Sequence, residues 1–116
     1  MKTLKRLIKR IQSYKKYLSL KGAKPVSLGS ILEKQAKKYA HKPILLYENE
    51  TITYSEFNRQ VNKISHAFLK RGYSKGDTVA LFISNKPSFL IIHAGLAKIG
   101  AASALLNSNL KGDVLA

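Results

Sequence analysis

The stretch TVALFISNKPSFLIIHAGLAKIGAASALL, residues 78–106, sets the architecture of the chain. Two short apolar runs, 78–83 and 102–106, flank a longer apolar segment that begins at Pro87 and stops before Gly100. Proline suits the first turn of a helix, and glycine suits the position just after its end. A strand, a crossover helix and a second strand form a right-handed unit whose two strands are parallel. The stretch therefore predicts a βαβ unit and an α/β fold.

This βαβ unit is too apolar to stand alone. The run 78–83 does not alternate between apolar and polar residues, which predicts a strand buried on both faces. The predicted helix, 87–99, is apolar around almost its whole circumference. Two parallel strands cannot cover such surfaces, because a parallel sheet needs neighbouring strands and covering helices. The sequence therefore predicts an incomplete domain, which stops at residues 112–116 where another helix would begin.

An amphipathic segment, 28–40, predicts a helix upstream of this unit. Ser30 and Glu33 have the spacing of a capping box, in which each residue's side chain bonds the other's backbone amide. Ser27 is an alternative cap for the same helix. Both assignments remain open from the sequence.

A β-hairpin and a third helix are predicted between these two regions. Residues 44–54 hold two short β-prone runs around a Glu-Asn-Glu turn, whose asparagine, Asn49, tolerates a positive φ. Thr53 and Glu56 then form a capping box that starts the helix. Gly72 is expected to end it, since glycine adopts the left-handed conformation after a helix.

The positive charge of the chain is concentrated at its amino end. The formal net charge is +15, yet residues 1–32 hold nine Lys or Arg and no acid. Such asymmetry points to an anionic partner, either a lipid surface or nucleic acid. The sequence has no cysteine, no apolar run of bilayer length and no secretion signal, which favours a cytoplasmic chain.

Residues 1–24 form a basic arm that predicts an amphipathic helix ending in the linker 21–25. Apolar residues recur at steps of three and four, and lysine and arginine occupy much of the rest. This pattern is typical of a helix lying on anionic lipid, so we expect peripheral membrane association. The alternative is a helix docked on its own protein. Nucleic acid is disfavoured, because no nucleic-acid-binding module's pattern is present. The residues expected to contact the membrane are Leu4, Lys5, Arg6, Leu7, Ile8, Lys9, Arg10 and Ile11.

The sequence predicts no catalytic, cofactor-binding or metal-binding residue. The segment from Gly95 to Gly100 superficially resembles a phosphate loop, but it lacks the lysine after the second glycine and begins inside a predicted helix. The three histidines, His41, His66 and His93, have no partners at the spacing of metal ligands. The loop after the first strand of the βαβ unit is therefore interpreted as scaffolding.

Residues 27–116 resemble the amino-terminal part of the adenylate-forming enzymes. TYSEFN, residues 53–58, is similar to their first core motif, and GLAKIGAASALLN, residues 95–107, is similar to their second. The second motif continues as SNLKGDVLA and most resembles the fatty acid transport protein and very-long-chain acyl-CoA synthetase branch. The resemblance thus implies the amino-terminal part of the large domain of the adenylate-forming enzymes. This part would contain a β-hairpin, capped helices and one βαβ unit, preceded by a basic amphipathic helix. The resemblance divides the chain into an arm, 1–24, and a truncated AMP-binding domain, 25–116.

The resemblance implies a long-chain fatty acid–CoA ligase. Such an enzyme joins a fatty acid to AMP using ATP and magnesium, then transfers the acyl group to coenzyme A. The family's phosphate loop, its adenylate-binding motifs and its catalytic lysine would all follow residue 116. The fragment itself is therefore expected to bind no cofactor and to be inactive. The alternative is a self-sufficient small basic protein that binds membranes or nucleic acid.

Overall fold

The computed structural model describes residues 1–21 and 26–112. Four helices and four strands follow the predicted order. Most of the predicted linker and the residues after 112 lie outside the described residues. In chain order the elements are α1 (Lys2–Lys21), α2 (Leu28–Lys38), β1 (Pro43–Tyr47), β2 (Glu50–Thr53), α3 (Tyr54–Lys70), β3 (Thr78–Leu81), α4 (Pro87–Lys98) and β4 (Ala102–Leu105).

The predicted βαβ unit is confirmed. Strands β3 and β4 pair in parallel, with Thr78 opposite Ala102 and Leu81 opposite Leu105, and α4 connects them. Strands β1 and β2 form a separate antiparallel hairpin. Antiparallel and parallel pairs therefore occur in two distinct two-stranded sheets, joined in sequence by α3.

The predicted hairpin turn lies between β1 and β2. Its positive φ, 51°, is at Glu48 rather than at the asparagine that tolerates such a conformation. Tyr47 pairs with Glu50, which leaves a loop of two residues between the strands. A two-residue hairpin loop needs a left-handed residue at its first central position to match the twist of the strands. Glu48 occupies that first position and takes the positive φ here.

The starts of α2 and α3 are fixed by reciprocal side-chain caps. At α3, the Thr53 amide donates to the Glu56 carboxylate at 3.0 Å, and the Glu56 amide donates to Thr53 Oγ1 at 3.2 Å, as predicted. At α2, the cap is Ser27 with Ser30, and the two amide–hydroxyl distances are both 3.1 Å. The pairing of Ser30 with Glu33 is therefore wrong, because the Glu33 carboxylate bonds a lysine on α4 instead.

Glycine ends α3 and α4. Gly72 and Gly100 follow the two helices with φ of +90° and +77°. After α3, the Tyr73 amide donates to the Phe68 carbonyl at 3.1 Å. The rings of these two residues meet edge to face, with centroids 5.3 Å apart. This arrangement satisfies a carbonyl at the helix end and packs an apolar pair across the turn.

The core consists of two clusters on either side of α4. One cluster joins α2, α3 and α4, and the other joins α4 to the parallel strands. Helix α4 is therefore the central element of the body. The first cluster contains Leu32, Phe57, Val61, Ile91 and Ala94, and the second contains Leu81, Leu96 and Ala101.

The parallel sheet is covered on one face only. In β3, Val79 is half-buried and Leu81 is buried, whereas Thr78 and Ala80 are exposed. The prediction of a strand buried on both faces is therefore wrong within the described residues, and the strand ends at 81 rather than 83. The physical reason is that helices pack on a single side, which leaves the next residue, Phe82, 48% exposed. Helix α4 is likewise incompletely covered.

Candidate functional site

Helix α1 carries all eight residues predicted to contact a membrane. Its apolar residues at 4, 7, 8 and 11 share one side of the helix, because their spacing follows the helical repeat. Every residue from 1 to 19 is exposed. The exposed fractions of the four apolar side chains lie between 46% and 59%: Leu4, Leu7, Ile8 and Ile11. A solvent-exposed apolar stripe therefore runs along one side of α1.

The distribution of charges on α1 lowers the stability of the isolated helix. No acid stands in its first turn, where the helix dipole favours negative charge, and Lys2 and Lys5 stand there instead. Lys5 with Lys9, and Arg6 with Arg10, are like charges four residues apart, a spacing that destabilises an isolated helix. A negatively charged surface would relieve both effects. Among the described residues, no helix is both long and apolar enough to cross a bilayer.

A buried lysine joins the three helices of the body. The side chain of Lys98, at the end of α4, is only 10% exposed. Its ammonium donates to the Asn58 and Asn62 side-chain oxygens, each at 2.6 Å, and to the Glu33 carboxylate. An ammonium has three protons, and each has an acceptor here. Gly29 on α2 lets the helices approach, since a β-carbon there would lie 2.9 Å from Lys98 Cγ.

This lysine cluster was not predicted from the sequence. Lys98 belongs to the second quoted motif and Asn58 to the first, so the two motifs meet at one ammonium. Two features of the sequence could have indicated the cluster. One is a lysine near the end of a largely apolar helix, and the other is a pair of asparagines four residues apart on α3. The hydrogen bond from Lys98, aided by its charge, lowers the pKa of Glu33 from its ordinary value of 4.5. The cluster therefore gives residues of both motifs a role in helix packing rather than in catalysis.

The segment that resembles a phosphate loop lies at a helix crossing. Gly95 is inside α4, and a β-carbon there would lie 2.6 Å from Ile64 Cγ2 on α3. The buried Ser65 hydroxyl lies 2.9 Å from the carbonyl oxygens of Val61 and Gly95. The glycine thus serves close packing of α3 on α4, as the sequence analysis preferred over phosphate binding.

The loops after β3 and β4 meet at the carboxyl edge of the parallel sheet. Asn85 from the first loop and Asn107 to Asn109 from the second line a shared depression of about 290 Å³. The Asn109 amide donates to the Asn107 side-chain oxygen at 2.9 Å, which holds the second loop. Ligands of open α/β sheets commonly bind at this edge. Within the described part of the chain, the depression is lined by amide, hydroxyl and apolar groups and by no charged side chain.

The three histidines differ in burial and in the residues that they contact. His41 and His66 are exposed, whereas His93 on α4 is half-buried and its ring stacks on Phe89, with centroids 6.4 Å apart. In residues 1–21 and 26–112, no three histidine, cysteine or acidic side chains are grouped so that they could hold a metal ion. The geometry therefore supplies no metal centre from these residues.

Comparison with known proteins places the body of the chain in a family. The family described as AMP-binding enzyme matches residues 32–116. The chain is 38% identical over 92 residues to human long-chain fatty acid transport protein 6, covering 76% of this chain and 15% of that protein. It is 40% identical over 82 residues to rat long-chain fatty acid transport protein 2, covering 70% and 13%. The chain thus spans about one seventh of the length of these relatives.

Solved structures agree in fold. The N-terminal subdomain of Klebsiella oxytoca NpsA superimposes with a TM-score of 0.71 at 27% identity, covering 73% of this chain and 22% of that one. A fatty acyl CoA synthetase from Mycobacterium tuberculosis superimposes with a TM-score of 0.69 at 27% identity, covering 72% and 17%. Each superposition therefore covers about three quarters of this chain. On these grounds, the chain belongs to the AMP-binding enzyme family.

Proposed function

We propose that this chain forms the amino-terminal part of a long-chain fatty acid–CoA ligase. Such an enzyme uses ATP and magnesium to join a fatty acid to AMP, and then transfers the acyl group to coenzyme A. The observation that carries the proposal is the Lys98 contact with Asn58, because it links both motifs through which the chain resembles these enzymes. The names of the relatives, fatty acid transport proteins and a fatty acyl CoA synthetase, support the choice of substrate. They give no support to a self-sufficient basic protein.

In this proposal, the described residues act as scaffold. Acyl-adenylate formation needs a cradle for the polyphosphate and a cation that stabilises the charge developing in the transition state. The polar cluster around Lys98 instead forms contacts between helices, and all three ammonium protons have acceptors there. ATP, magnesium and coenzyme A would then bind other parts of a longer enzyme.

Pyrophosphate release tests the scaffold role. The chain is incubated with ATP, magnesium, palmitate and coenzyme A, and we expect no pyrophosphate above a protein-free blank. Robust turnover that depends on the protein would contradict the assignment.

A chimera tests the family role directly. Residues 27–112 would replace the matching stretch of the Mycobacterium tuberculosis fatty acyl CoA synthetase, which has the same fold there. We expect the chimera to retain palmitate-dependent pyrophosphate release. The same chimera with Lys98→Met should lose most of it, because α2, α3 and α4 lose their shared contact. A folded chimera without activity would argue against the proposal.

We propose in addition that α1 binds anionic membranes peripherally, as a separate arm of residues 1–24 on a body of residues 25–116. The exposed apolar stripe and the absence of acids before Glu33 support this. Each basic residue near an anionic leaflet contributes about 1 kcal/mol, and burial of the stripe adds to it. Docking on the body is disfavoured because the body is also net positive. A ligase in the cytoplasm would meet its substrate there, since fatty acids partition into lipid.

Sedimentation with vesicles tests the arm. Wild type should pellet with vesicles containing phosphatidylserine, less so as salt rises, and little with neutral vesicles. Lys9→Glu on α1 should weaken binding, whereas Lys63→Glu, the same charge change on α3, should weaken it much less. Equal loss in both variants, or tighter binding to duplex DNA than to vesicles, would contradict the proposal.

A further inference from the structure

An apolar groove of about 330 Å³ lies between the β-hairpin and the first turn of α4. Leucines from β1 form one wall, and Pro87, Phe89 and Leu90 form the other. Two of these side chains remain open to solvent, since Leu46 is 76% exposed and Leu90 is 41% exposed. The volume falls at the lower end of the range for small-molecule sites, which are mostly apolar with a few placed polar groups.

One cation stands in this groove. Of the described residues that line it, Lys86 alone is charged. Its ammonium has no acidic partner within salt-bridge distance among the described residues, where the one ion pair joins Lys98 to Glu33. Glu50 and Glu56 line an adjoining depression that also includes Lys86, without pairing with it. The groove therefore offers an unpaired positive charge beside a continuous apolar wall.

The groove continues to the carboxyl edge of the parallel sheet. Asn85 and Phe89 line both the groove and the depression that contains Asn107 and Asn109. An elongated ligand could thus keep its apolar part between β1 and α4 and place its polar end near Lys86 and the amides. The arrangement matches an amphiphile with one aliphatic chain and one negative charge.

We propose that this groove binds a long-chain fatty acid, with the alkyl chain against Leu46, Phe89 and Leu90 and the carboxylate on Lys86, assisted by Asn85. A charge-assisted bond between ammonium and carboxylate fixes the polar end, and the apolar wall removes the chain from water. A phospholipid, with two chains and a larger headgroup, exceeds the groove. Helix α1 is excluded as occupant because its positive charge repels Lys86. The choice of a fatty acid among singly charged amphiphiles rests on the proposed function.

Calorimetric titration of the full chain with dodecanoate, below its micelle concentration and without ATP or coenzyme A, tests the groove. Lys86→Gln should weaken binding about fivefold, and Leu46→Asp about tenfold or more. Lys63→Gln, which removes an exposed lysine of α3 outside the groove, should leave the affinity unchanged. Dodecanol should bind wild type and Lys86→Gln equally, because it lacks the carboxylate. Circular dichroism checks that each variant is folded.

Three results would overturn the inference: equal dodecanoate affinity in wild type and Lys86→Gln, an unchanged affinity in Leu46→Asp, or loss of binding in Ile8→Asp, which would put the fatty acid on α1. Because no adenylation is measured, these results are independent of the chimera. If the calorimetric results overturn the groove but the chimera is active, the fatty acid site is rejected and the ligase proposal stands. An inactive chimera with groove binding intact would reject the ligase alone.

Discussion

Lys98 is the residue on which the body of the molecule most depends. A nearly buried ammonium is tolerated because three oxygens from two helices accept its protons. Removal of one partner from such a cluster leaves the others without compensation, and this loss exceeds the net stabilisation of the pair itself. The lysine therefore determines how α2, α3 and α4 meet.

We expect Lys98→Met to lower the free energy of unfolding by about 2–4 kcal/mol, because the side chains of Asn58 and Asn62 lose their donor. Lys63→Met, which changes an exposed lysine on α3, should change it by less than about 0.5 kcal/mol. Urea denaturation followed by circular dichroism measures both. Equal stabilities for the two variants would show that the cluster does not hold the helices.

The lowered pKa of Glu33 gives the cluster a pH dependence. A carboxyl whose folded pKa lies below its unfolded value contributes stability above the unfolded pKa, and loses it as the pH falls through the folded pKa. The hydrogen bond from Lys98 lowers this pKa from 4.5. The advantage of wild type over Glu33→Gln in unfolding free energy should thus be present at pH 7 and shrink below about pH 4.5. A constant difference across that range would contradict this.

Helix α4 works as an element because a glycine lets it lie against α3. At Gly95 the two backbones approach so closely that the Ser65 hydroxyl reaches the Gly95 carbonyl. Helices normally pack 8–10 Å apart at distances set by the side chains at the crossing, so the smallest residue gives the closest approach. Packing at this point aligns the buried residues of α4 with both core clusters.

Gly95→Ala should therefore destabilise the body, although alanine is the better helix former. The new methyl would lie 2.6 Å from Ile64 Cγ2, and overpacking of this kind costs about 1–3 kcal/mol. In the double variant with Ile64→Ala, the coupling energy should be favourable, because the clash is removed. Thermal or urea unfolding of the four proteins completes the cycle. Additive effects would mean that α3 and α4 do not cross as described.

The whole molecule carries a sheet that is covered on one side. Phe82, which follows β3, is 48% exposed, and Leu105, the last residue of β4, is 55% exposed. Exposed apolar patches of this kind bind partners or cause aggregation. The relatives are far longer than this chain, so in them additional residues are available to cover such surfaces.

We expect the chain to bind a hydrophobic dye such as anilinonaphthalene sulfonate and to unfold with weak cooperativity. Phe82→Asp should reduce the dye fluorescence without reducing helix content, because this side chain is half exposed. Leu69→Asp, which removes an exposed leucine outside the sheet, serves as the matched control. A sharp two-state melt of a monomer that binds no dye would contradict the expectation.

Short-range signals were readable from the sequence. The capping pair Thr53 and Glu56 and the terminal glycines, Gly72 and Gly100, act within a few residues of the chain. Their spacing alone therefore predicts where α3 begins and where α3 and α4 end. The apolar periodicity likewise predicted the order of elements and the parallel pairing of β3 with β4. The membrane role of α1 stays a prediction, because it depends on a lipid surface outside the chain.

Long-range contacts were not readable in this way. Lys98 meets Asn58 across 40 positions and Glu33 across 65, and Ser65 reaches Gly95 across 30. Such pairs depend on how the helices cross, and neither residue type nor local spacing specifies a crossing. The same holds for the groove at Lys86, whose walls come from a hairpin and a helix far apart in sequence. Local chemistry therefore placed the helices and strands, while packing of α4 between two cores determined which side chains meet.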